Sequence, residues 1–183
     1  LGNLVNRTVA MSNKYFDGVI QTPDASEDID NELKEMALST LGEVTKLLDT
    51  YKVSDALSKI FDLAKRCNKY IDETMPWALA KDEEKKARLG TVLYNLIEGI
   101  RFIAVLLEPF MPETSVKILE QIGTGVNTLD SLAEFGAVKA GDRVGAATPL
   151  FSRLDVEKTL AEIEASLPKV EEENEEEEKE FVG

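Results

Sequence analysis

The sequence predicts an all-α domain: an antiparallel four- to five-helix bundle followed by an irregular C-terminal segment and a short final helix. Three observations carry this expectation. Apolar residues recur every three and four positions over most of the first 122 residues, the period of one helical face. Proline and glycine signals sit where one such stretch gives way to the next. The links between stretches are short, which makes successive helices antiparallel neighbours.

The elements follow in order. Leu1 to Asp17 reads as a helix stopped by Asp17-Gly18. Pro23, Asp24 and Ser26 mark a loop and a new start. Ile29, Leu33, Met36, Ala37, Leu41, Val44, Leu47, Leu48 and Tyr51 then form one stripe along a long helix. Ser54 reads as the N-cap of the next helix, whose stripe runs Leu57, Ile60, Phe61, Ala64, Cys67 or Asn68, and Ile71. Met75-Pro76 interrupts it, because a residue before proline is pushed out of helical geometry. Asp82-Glu83-Glu84 opens the longest helix, with the wide apolar face Leu89, Val92, Leu93, Leu96, Ile97, Ile100, Ile103, Ala104 and Leu107. Pro109 and Pro112 end it, and a short helix runs from Pro112 to Ile122, stopped by Gly123. Beyond it, Gly136, Gly141, Gly145 and Pro149 break the pattern, with a brief helix near Thr128–Ala133 and a last one over Val156–Ser166. The expected division is therefore a bundle over 1–123, an irregular return segment with a short helix over 124–167, and an acidic linker over 168–183. The linker should stay disordered, since a run of glutamates has no apolar surface to bury.

Composition removes several functions. The chain contains no histidine, which excludes His-based acid–base catalysis, Ser-His and Cys-His pairs and His-ligated metals. A single cysteine, Cys67, fits a reducing, cytoplasmic setting, and no apolar run suits a membrane span or signal peptide. The net charge is −14, of which −6 comes from eight glutamates against two lysines after residue 167. The remainder is still acidic, so a nucleic acid would be recognised by a few specific contacts and not by a broad basic surface.

Two constellations stand out. Asn3 and Arg7 are four residues apart, on one face of the first helix, and together offer an amide and a rigid multi-donor fork to a base edge. The bland reading is a solvated pair. In the second, Asn68 and Asp72 are again four apart, and Trp77, the only tryptophan, follows Pro76 at a turn between helices. An aromatic face fixed at a bundle tip suits an unpaired base; the alternative is that Trp77 plugs the end of the core. Lys65, Arg66 and Lys69 could line a phosphate backbone, whereas Lys81, Lys85, Lys86 and Arg88, interleaved with acids, read as a solvated helix surface.

Taken together, Leu1-Gly2-Asn3-Leu4-Val5-Asn6-Arg7 with Asn13-Lys14-Tyr15-Phe16-Asp17-Gly18, Asn68-Lys69-Tyr70-Ile71-Asp72 with Pro76-Trp77-Ala78-Leu79-Ala80-Lys81, Leu93-Tyr94-Asn95-Leu96, Leu107-Glu108-Pro109-Phe110-Met111-Pro112-Glu113-Thr114 and Thr148-Pro149-Leu150-Phe151-Ser152-Arg153-Leu154 resemble methionyl-tRNA synthetase. The match covers residues 1–165 in consistent order and falls in the anticodon-binding domain of that class I synthetase. The resemblance implies that Asn3, Arg7 and Trp77 contact the methionine tRNA anticodon, with Trp77 stacking on its first base, a cytosine. It implies that Asn68, Asp72 and Pro76 support that site.

The family's catalytic half, which uses ATP and can carry zinc, has a His-Ile-Gly-His-like motif and a Lys-Met-Ser-Lys-Ser-like loop, and neither occurs here. The chain also opens inside a helix without an initiating Met. These features predict an excised domain without catalytic residues, metal or cofactor of its own. Its partners would be methionine tRNA and the missing catalytic domain, with no membrane or DNA. The alternatives are a helical protein-interaction scaffold and the anticodon bundle of another class I synthetase.

Overall fold

The computed structural model describes residues 1–151 and 155–167; the acidic stretch 168–183 lies outside them. Within this range the chain is helical: α1 Gly2–Phe16, α2 Ile29–Asp49, α3 Val53–Thr74, α4 Pro76–Leu79, α5 Lys86–Leu107, α6 Pro112–Ile122 and α7 Val156–Ser166. Residues Leu1–Phe151 form one compact unit, and the described residues 155–167 belong to another. In the second unit, α7 is capped by Asp155, whose side chain accepts a hydrogen bond from the Lys158 amide.

The predicted stops hold for local reasons. Asp17 and Gly18 both adopt left-handed geometry, at φ 50° and 79°, and the Gly18 amide closes back onto Ser12 O. Gly123 ends α6 at φ 71°, where an added Cβ would lie 1.8 Å from the Arg143 carbonyl oxygen. No side chain fits there.

Some expectations are corrected. α3 begins at Val53 with Lys52 at its cap position, before the predicted Ser54. Tyr51, read as the last residue of the α2 stripe, is 92% exposed, because α2 stops at Asp49 and the chain reverses through Tyr51 at φ 60°. Asp82-Glu83-Glu84 does not open α5 directly. Asp82 caps a 3-10 turn over Glu83–Lys85, and α5 follows. The piece near Thr128–Ala133 is likewise a 3-10 turn, Leu129–Ala133.

The largest departure concerns α5. From Arg88 to Leu107 every residue is buried, on all faces and not on one. Glu83–Leu107 passes for a membrane-crossing length and composition, with a mean hydropathy of 1.5 in its most apolar window, but that window is wholly buried inside the molecule. α2, α3, α1 and α6 all pack against it. Arg88 is therefore not part of a solvated surface. Its guanidinium makes two 2.7 Å bonds to the carboxylate of fully buried Asp30, and the Tyr70 hydroxyl donates to the same carboxylate at 2.6 Å. This cluster ties the start of α2, the end of α3 and the start of α5 into one corner.

A second buried pair, Glu98 and Arg101, fastens the return segment. Glu98 accepts from the Val138 amide, while Arg101 donates to Ser131 and to the Glu134 carbonyl. Leu132, Val138 and Val144 thereby join the bundle core, and the stretch after Gly123, expected as a separate segment, packs in the same unit up to Phe151.

Burial by itself raises the Asp30 pKa, but hydrogen bonds from Arg88, Tyr70 and the Glu27 amide outweigh it and hold the group below its ordinary 3.8. A depressed folded-state pKa contributes stability above the unfolded value and loses it as pH falls. Asp30→Asn should cost about 3–5 kcal/mol, because it strands a buried guanidinium. In urea titrations the variant should show a shallower loss of stability below about pH 4 than the parent chain. Equal acid sensitivity of the two would show that Asp30 does not carry that slope.

Candidate nucleic-acid interface

The candidate site lies where α3 gives way to α4. α3 ends at Thr74, because a residue before proline is disfavoured in right-handed helical geometry, and Met75 takes the left-handed conformation, φ 45° and ψ 64°. Pro76 then occupies the first position of α4, where its missing amide hydrogen costs nothing, and it is buried. One residue on, the helix has turned by about 100°, and Trp77 faces outward with 41% of its surface open. The indole is not sealed within the core.

Arg7 approaches from α1. Its guanidinium carbon lies 5.8 Å from the Trp77 ring centroid, within cation–π range. The same group stands 3.8 Å from an Asp72 carboxylate oxygen. Asp72 is mostly exposed, so this ion pair orients Arg7 more than it stabilises the fold.

Four of the six expected residues thus converge: Arg7 reaches both Asp72 and Trp77, and buried Pro76 directly precedes Trp77. The other two flank them. Asn68 sits one turn before Asp72, half-buried, and its amide nitrogen donates to the Ala64 carbonyl at 2.9 Å, which answers its need for a partner on its own helix. Asn3 is exposed one turn before Arg7, beside a shallow groove formed with Gly2, Asn6, Leu150 and Phe151.

The cations near α3 divide differently from the sequence reading. Arg66 is only 5% exposed, bonded to Glu73 at 2.8 Å and 3.3 Å from Glu32; Lys65 pairs with Asp62 and Lys69 with Glu73. Arg66 is therefore not free to line a phosphate backbone, whereas Lys65 and Lys69 stay exposed in surface ion pairs that hold them only weakly. Arg66 instead braces the last two turns of α3. Burial pushes the Glu73 carboxyl up, but Arg66 and Lys69 hold it below its ordinary value.

Sequence reading also missed Tyr70 and Asp30, which lock the helix end that carries Met75. Their signal was only an aromatic and an acid far apart in the chain. Thr74 reinforces that end by donating to the Tyr70 carbonyl.

Chemically, the arrangement offers an aromatic face, a planar guanidinium and amide groups: means of holding an unpaired base by its face and edge. It offers little for bond-making. The Cys67 thiol is pushed up to about 12 by burial. Among the described residues no three acid, cysteine or histidine side chains are grouped to hold a metal.

Comparison with known proteins agrees with this reading of the fold. A family model described as the anticodon binding domain of methionyl tRNA ligase matches residues 21–172. Methionine–tRNA ligase of Clostridium perfringens is 56% identical over 92% of this chain, and that of Bacillus subtilis 44% identical over 97%. The chain spans 26% and 28% of the two relatives, about a quarter of their length. Among solved structures, the free methionyl-tRNA synthetase of Mycobacterium tuberculosis superposes with a TM-score of 0.79 at 31% identity, over 85% of this chain and 32% of that one. The helical bundle seen here is thus shared by a solved synthetase, and the family match extends over most of the chain, through Asp72, Pro76 and Trp77. The chain belongs to the anticodon-binding domain family of methionyl-tRNA ligases.

Proposed function

We propose that this domain reads the anticodon of methionine tRNA, with Trp77 stacking on the first anticodon base, a cytosine, and Arg7 and Asn3 meeting its edge. The observation that carries the reading is the meeting of the half-exposed Trp77 indole with the Arg7 guanidinium at 5.8 Å, on a scaffold whose family is described by anticodon binding. Asp72 holds Arg7 in place, Pro76 sets the direction of the indole, and Asn68 fixes the turn of α3 beneath Asp72. A cytosine presents an amino donor and two acceptors on its pairing edge, which an amide and a guanidinium can satisfy.

In this reading the domain serves a cytoplasmic ligase that joins methionine to tRNA at the expense of ATP. The chemistry of that ligase belongs to parts of the relatives that this chain does not span. The residues present do not suit ATP activation or zinc, since there is no histidine and the one thiol is buried.

Because Trp77 is partly open, Trp77→Ala should lower the melting temperature by only a few degrees while weakening binding of an anticodon stem-loop by about 1–3 kcal/mol. The preference for cytosine over uracil at the first anticodon position should shrink with it. Isothermal titration and a thermal melt on the same sample decide the matter. A collapsed melting temperature with intact base preference would make Trp77 a core residue and reject the reading.

Arg7→Ala removes a partly exposed donor and should reduce cytosine preference about tenfold, with stability within roughly 0.5 kcal/mol of the parent. An Arg7 variant that binds both stem-loops as the parent does would remove Arg7 from the recognition set.

A further inference from the structure

Only Met75 and Pro76 separate Trp77 from the end of α3. Helix ends fray, because their last carbonyls lack partners in a following turn. An aromatic platform carried on a fraying end would swing with it, and a base that stacks there would have to order the ring first. The end of α3 is tied down instead.

The Met75 amide donates to the Ile71 carbonyl at 3.0 Å, and the Met75 carbonyl accepts from the Ala78 and Leu79 amides at 2.8 and 3.2 Å. One residue thus closes α3 and opens α4, so any shift in the last turn of α3 passes straight to the indole. That turn hangs on Tyr70, whose carbonyl accepts from the Thr74 hydroxyl at 2.6 Å.

The Tyr70 side chain is fully buried. Its hydroxyl donates to Asp30 of α2 at 2.6 Å and accepts from the Asn95 amide of α5 at 3.1 Å. The Arg66 guanidinium carbon lies 5.9 Å from its ring centroid, within cation–π range. Tyr70 is therefore gripped at its ring, its hydroxyl and its carbonyl, by groups from three helices. A buried tyrosine needs one partner for its hydroxyl. This one has a donor and an acceptor on different helices, which fix the angle of the ring as well as its depth. Phenylalanine would fill nearly the same volume without that hold.

We propose that Tyr70 is a positioning residue for base recognition: its hydroxyl, clasped by Asp30 and Asn95, holds the last turn of α3 still and so fixes the plane of Trp77 before RNA arrives. The inference rests on the anticodon reading above. Tyr70 itself touches no base, because its side chain is sealed in the core. Its effect passes through the backbone of Thr74 and Met75.

The indole supplies the readout. Trp77 is the only tryptophan, so tryptophan emission from this chain reports on that ring alone. Tyr70→Phe and Thr74→Val loosen the grip at its two ends. They are compared with Ser115→Ala, which removes the buried bond from the Ser115 hydroxyl to the Ala104 carbonyl. Ala104 lies nine residues, about 13 Å, further along α5 than Asn95. Thermal melts show how much stability each variant loses, and the comparison is made where all are folded. In the free chain, Tyr70→Phe and Thr74→Val should lower the anisotropy of Trp77 emission and raise its quenching by acrylamide. Ser115→Ala should leave both at the parent values. Tyr70→Phe and Thr74→Val should also bind a stem-loop with cytosine at the first anticodon position about fivefold more weakly. Parent-like indole signals in Tyr70→Phe overturn the positioning role and leave the anticodon reading intact. A loosened indole with unaltered stem-loop affinity overturns it equally. A parent chain that shows no preference for cytosine over uracil overturns the anticodon reading, and the role of Tyr70 in recognition with it.

Discussion

A helix buried on every side is the constraint from which the rest of this domain follows. α5 has lost contact with water from Arg88 to Leu107, and that stretch includes Arg88, Asn95, Glu98 and Arg101. An unpaired charge in such a place would cost several kcal/mol, so each must find its partner within the protein. Arg88 finds Asp30 at the head of α2, and Glu98 and Arg101 find each other and the backbone of the return segment. The charges of α5 thus dictate where the surrounding chain has to pass.

The candidate site inherits its rigidity from one of these anchors. Asp30 gathers Arg88, Tyr70 and the Glu27 amide, and Asn95 donates to the same Tyr70 hydroxyl at 3.1 Å. Tyr70 lies five residues before Met75, on the last turns of α3. A fixed helix end lets a left-handed Met75 and a buried Pro76 present Trp77 in a single direction. Left-handed geometry at a non-glycine residue costs on the order of 1 kcal/mol or more and persists only where its surroundings impose it. Here the surroundings do so from both sides, through the Tyr70 cluster before the turn and the packing of α4 on α5 after it.

Acidity shapes the chemistry of recognition as well. With a net charge of −14 the domain repels a polyanion at long range. Ten cations among the described residues pair with carboxylates, Arg7 among them, so the proposed contact with RNA leans on uncharged groups as well as on charge. An aromatic platform and an edge-reading amide and guanidinium are well matched to that situation, because stacking and base-edge hydrogen bonds do not require a basic field. Affinity from this domain alone should then be modest and selective.

The period of three and four determined the helices, and the proline and glycine signals at Asp17-Gly18, Met75-Pro76, Pro112 and Gly123 determined their ends, because these are local properties of the backbone. The residue order around Asn3, Arg7, Asp72 and Trp77 likewise pointed to the family before any fold was known. Three things were not legible. Arg88 looked like a surface charge among Lys85, Lys86 and Glu84, since nothing local distinguishes a solvated arginine from one bound for a carboxylate 58 residues away. Arg66 was misread for the same reason. Gly123 was visible as a stop, but not as the place where the backbone of Arg143 crosses too close for any side chain. Local stiffness and periodicity are written into neighbouring residues; charge pairing, burial on all sides and close backbone crossings depend on which distant segments arrive, and only the tertiary structure decides that.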